Sequence, residues 1–112
     1  MTVEEMMTNT ISRVEAAATD ILTLVEGLGA EEFARSRLMR RTVLARLRAI
    51  ADAAASLPAQ GREAMPEVDW ASWVALGDAL ANGAASPEHE WAAASEQAAV
   101  ILQWMRVYSQ TG

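Results

Sequence analysis

The chain has 112 residues, enough for one domain with a modest core. Hydrophobic residues make up 52% of it, which argues against disorder, and the formal net charge of −6 argues against a generic binder of nucleic acid or membrane surfaces. The absence of cysteine excludes disulfides, thiolate catalysis and cysteine-based zinc sites.

The opening MTVEEMM is acidic where a signal peptide would be basic, and no apolar run approaches the ~20 residues that span a bilayer. A cytoplasmic protein is the expectation. Thr2 and Glu5 have the spacing of a capping box, which predicts a helix start. Behind them Met7, Ile11, Val14, Ala18, Ile21, Val25 and Leu28 alternate steps of four and three, the signature of one helical face. Gly27 and Gly29 end that helix. Glu31, Glu32 and Phe33 fall in a connection with room for a helical turn.

Ser36 is the predicted N-cap of a second long helix, with Val43, Leu47, Ile50 and Ala54 on its core face and Met39 and Leu44 beside them. Leu57-Pro58 stops it, because proline disfavours helical geometry in the residue before it. Pro58 to Met65 allows a turn or two. Asp69 caps a third helix carrying Trp70, Trp73, Val74, Gly77 and Leu80, closed by Gly83. Ser86-Pro87-Glu88 starts the last helix with an N-cap, a proline at the first position and an acid in the first turn. Its predicted face is Trp91, Ala94, Ala98, Ile101, Met105 and Tyr108. No segment alternates with period two. The sum is a single all-α domain over 1–112, an antiparallel up-and-down bundle of four to five helices.

Little chemistry is visible in the residues themselves. One histidine and scattered carboxylates do not make a conventional metal site, so no metal or cofactor is expected. Glu88, His89 and Glu90 are adjacent and fan around a helix instead of converging, which makes a solvated His89 the ordinary reading. No serine stands in a nucleophile-elbow motif and no glycine-rich phosphate loop is present. Two features stand out. Arg35, Arg37, Arg40, Arg41, Arg46 and Arg48 concentrate positive charge in an acidic chain; the solvated side of an amphipathic helix is the favoured reading, and a patch for RNA or an acidic partner is the alternative. Trp70 and Trp73 share neighbouring parts of a helical face, as core or as an interface.

The order of these features resembles the HepT-like branch of the HEPN superfamily. Arg41-Thr42-Val43, Leu47 and Ile50-Ala51-Asp52-Ala53-Ala54 resemble that family's "R-A-V…L…I-G-E-A-A" helix. Leu57, Arg62 and Pro66-Glu67-Val68-Asp69-Trp70 resemble its "L…R…P-x-I-P-W" segment. Phe33 and Trp91 stand where the family often has a Phe and a Trp. The resemblance implies a helical bundle, commonly dimeric, that acts as the toxin of a toxin–antitoxin pair with a minimal nucleotidyltransferase as antitoxin. It also implies a metal-independent ribonuclease that uses an Arg, a His four to six residues later, and a nearby Tyr. In such a pair the Arg stabilises phosphate charge while the His moves a proton.

The chain departs from the family at that motif. Aligned from Trp70 and Gly77, the Arg position is Ala79, the His position Ala84 and the Tyr position Ser86, with Gly77 and Asp78 leading into them. No Arg lies between Arg62 and Arg106, and the single His is His89. The reading is therefore a non-catalytic bundle acting through protein–protein contact, as a homodimer and with a nucleotidyltransferase-type partner. The alternative is a ribonuclease toxin or RNA-binding protein using non-standard residues, drawn from Arg46, Asp52, Asp78, Asn82 and His89. Arg46, Asp52, Trp70, Trp73, Asn82 and Trp91 are the candidate cleft or interface residues.

Overall fold

The computed structural model describes residues 2–110, and no strand occurs among them. In chain order the helices are α1 (Val3–Val25), α2 (Ala30–Arg35), α3 (Arg37–Ser56), α4 (Ala59–Ala64), α5 (Trp70–Ala81), α6 (Pro87–Ala92) and α7 (Ala98–Ser109). A π turn, Ala93–Gln97, joins α6 to α7 without a break in the helical backbone.

The helix starts are built by the caps the sequence predicts. Thr2 Oγ1 accepts from the Glu5 N–H at 3.1 Å, Ser36 Oγ from Met39 at 3.3 Å, Asp69 Oδ1 from Ser72 at 3.1 Å and Ser86 Oγ from His89 at 3.0 Å. Each takes up one of the N–H groups that a first helical turn leaves unpaired. The far end of α3 is closed by a side chain from beyond it. Arg62 donates from Nη2 to the Ala54 carbonyl at 2.9 Å and from Nε to the Leu57 carbonyl at 3.2 Å. A cation at a helix C-terminus is favourable both as a donor and against the helix dipole.

α1 packs against α3 and α7, and α5 packs against α3, so the long helices form a ring that is least tightly closed between α5 and α7. The predicted faces of α1 and α3 are the core: Val14, Ala18, Ile21 and Val25 meet Val43, Leu47, Ile50 and Ala54. Leu28 lies beyond the end of α1 and is half-buried. The connections around Phe33 and after Pro58 are the short helices α2 and α4, with Phe33 fully buried. On α5 the buried residues are Trp70, Trp73 and Leu76, while Val74 and Leu80 are half-buried.

The closing rod turns its predicted face to the core and buries Glu90, Ala93 and Leu102 beside it. Glu90, Ala93, Ala94, Ala98, Ile101, Leu102 and Met105 are buried, and Trp91 and Tyr108 are half-buried. The run Glu90, Ala94, Ala98, Leu102 advances in fours. On an α-helix each such step rotates about 40°, so the stripe would wind away from the core. The π turn, marked by the Ala98 N–H bonding five residues back to Ala93 O, sets one residue out of phase and returns the stripe to the core.

Candidate functional site

The segment from Gly77 to Ser86 has a specific geometry. Gly77 lies where α5 crosses α3; a Cβ built there would sit 2.7 Å from the Ala51 Cβ, so a side chain at 77 would push the helices apart. α5 then stops in a Schellman motif. Gly83 takes a positive φ of 68°, its N–H points to Leu80 O, and the Ala84 N–H reaches back to Ala79 O at 2.8 Å. Ala79 and Ala84, the positions that the resemblance aligns with a catalytic Arg and His, are thus the two ends of one backbone bond that terminates a helix. Asp78 and Ser86 are exposed, and Ser86 caps α6.

The six residues expected to form a cleft or interface do not converge. Arg46 pairs with Asp20 of α1 at 3.3 Å. Asp52 is exposed on α3, and Asn82 is exposed at the C-cap of α5. Trp70 is buried, its Nε1 donating to Met65 O at 3.0 Å. Trp91 is half-buried and lies tilted against the Phe33 ring, centroids 5.4 Å apart. Trp73 alone of the six lines the concavity between α5 and the closing rod. His89 is exposed in the first turn of α6.

That concavity, roughly 360 Å³, opens where α5 and α7 are least tightly joined. Buried Trp73 and Ile101 form its floor, and Val68, Val100 and half-buried Trp104 its walls. Glu67, Asp69 and Glu96 stand at its rim with Ser72 and Gln97. Glu96 and Gln97 belong to the π turn, a feature that recurs at functional sites. No arginine or histidine lines the cleft. It therefore offers apolar surface and negative charge, with Ser72 and Gln97 as its neutral polar side chains and no cation among its lining residues. Beside it the Tyr108 hydroxyl donates to the Glu67 carboxylate. Burial first, and then that hydrogen bond and the carboxylate charge, push the Tyr108 phenol up to about 12.

A second charged feature was not predicted. Glu90 is 3% exposed, on α6, and Arg40 of α3 grips it with Nε to Oε1 at 2.8 Å and Nη2 to Oε2 at 3.2 Å. The Glu90 hydrogen bond and charge hold the Arg40 guanidinium above its ordinary pKa. The arginine-rich run is thus divided: Arg40 turns inward to α6, Arg46 toward α1, and Arg35, Arg37, Arg41 and Arg48 are exposed.

Comparison with known protein families, with curated proteins and with solved structures gives no match for this chain. Among the described residues no group of three His, Asp or Glu side chains is placed to hold a metal ion, and no helix is long and apolar enough to cross a membrane.

Proposed function

We propose that this chain is a cytoplasmic, non-catalytic bundle of the HepT-like type that acts through protein–protein contact, as a homodimer and toward a nucleotidyltransferase-type partner. The observation that carries the reading is the contrast between two places. Where the resemblance expects an Arg and a His, Ala79 and Ala84 close a helix through a backbone bond. Where the surface is concave, it presents tryptophan, valine and carboxylates, the chemistry of a contact surface and not of phosphate transfer.

The test has two arms. Light scattering at micromolar concentration is expected to give twice the mass of one chain. Purified protein incubated with structured and single-stranded RNA is expected to leave both intact. Cleavage that is lost in Arg46→Ala or His89→Ala protein would replace this reading with a ribonuclease using non-standard residues.

A further inference from the structure

We propose that the cleft between α5 and the closing rod receives the Leu38 end of α3 from a second copy of this chain. This rests on the homodimer reading and adds which surfaces meet. Leu38 is 78% exposed, more than any other large hydrophobic residue described. It lies nine residues before core-facing Leu47, about 180° round the helix, so it points directly away from its own core. Arg35, Arg37 and Arg41 surround it in sequence, all exposed, and none makes an ion pair among the described residues. The result is an apolar knob with a basic rim.

The cleft has the opposite character. Its centre is apolar, with Val100 56% exposed beside Trp104, and its rim carries Glu67, Asp69 and Glu96 with no cation. A leucine side chain and the aliphatic stem of an arginine fit a hollow of roughly 360 Å³. An apolar centre within a charged rim, with opposite signs on the two faces, is the arrangement of a specific contact that opposite charge also steers. Within one chain the two surfaces stay apart. Leu38 is at the end of the bundle where Arg40 meets Glu90, while the cleft extends toward the other end, where Tyr108 meets Glu67. The contact is therefore made between copies.

Sedimentation equilibrium from micromolar to submillimolar protein, at low and at high salt, tests this. Leu38→Asp and Glu96→Arg alter exposed side chains and are expected to melt like the parent while weakening self-association by about tenfold or more each. Higher salt is expected to weaken the parent in the same direction. Mixing Glu96→Arg protein with Arg37→Glu protein is expected to restore association between the two variants, because the swapped charges again face opposite partners. Association that neither Leu38→Asp nor Glu96→Arg weakens would overturn this interface and leave the homodimer standing. A monomer at every concentration would overturn both.

Discussion

Glu90 shows what a buried charge requires. Its carboxylate is enclosed between α6 and α3, and the side-on fork of Arg40 satisfies both oxygens. Removing the arginine strands the carboxylate; because Arg40 is itself partly exposed, water offsets some of the loss. Arg40→Ala is expected to lower stability by about 2–4 kcal/mol, read from urea unfolding, and Arg40→Met with Glu90→Leu to recover most of it. Tyr108 gives a second residue-scale prediction, and it is the chain's single tyrosine, so its ionisation is read directly by near-ultraviolet absorbance. The folded protein is expected to titrate near 12 against about 10 for the denatured chain. Because the folded pKa is the higher one, the stabilising contribution is complete below about pH 10 and is lost as pH rises through about 12. Glu67→Gln is expected to lower the midpoint without bringing it to 10, since burial is the larger cause.

Helix starts and stops were largely legible in the sequence because they are local. Thr2, Ser36, Asp69 and Ser86 each bond to an N–H three residues on, and Gly27 and Gly83 each supply the positive φ that follows a helix. The π turn was not legible, because a strict four-and-three pattern through Trp91, Ala94 and Ala98 is equally consistent with an unbroken α-helix. Glu90 was not legible either: an acid in a first turn reads as a complement to the helix dipole, and only the approach of α3 makes it a buried ion-pair partner. The crossing of α5 over α3 is the element-scale feature most open to test. Gly77→Ala gains about 1 kcal/mol of helix propensity but forces Cβ atoms together at a cost of about 1–3 kcal/mol. A net loss is expected in thermal melts. Adding Ala51→Gly, which moves the methyl group to the other helix, is expected to restore the parent midpoint within a few degrees.

For the whole molecule, the bundle was visible in the sequence but its cleft was not. The cleft joins residues 67–73 to residues 96–104, and no local pattern reports which two helices of a ring stand furthest apart. Charge is also organised at this scale. A net −6 protein keeps five of its nine arginines on α3 and its cleft carboxylates elsewhere, so the molecule is polarised and not uniformly acidic. RNA retention at low ionic strength is expected to be absent in a filter-binding assay. Steeply salt-dependent binding that falls when Arg37, Arg41 and Arg48 are replaced together would instead assign the arginine face to RNA.

The π turn has a consequence for how this chain tolerates changes in length. A rod that carries one residue more than a regular helix needs can lose one there and keep its direction and both of its faces. Deleting Ser95, a residue of that turn whose hydroxyl donates to the Trp91 carbonyl of α6, is expected to leave a folded protein with Glu90 and Met105 still turned inward. The same deletion at Gln103 would rotate everything after it by about 100°, carrying Met105 out of the core. Along this helix the spare residue marks where the loss of one residue costs the fold least.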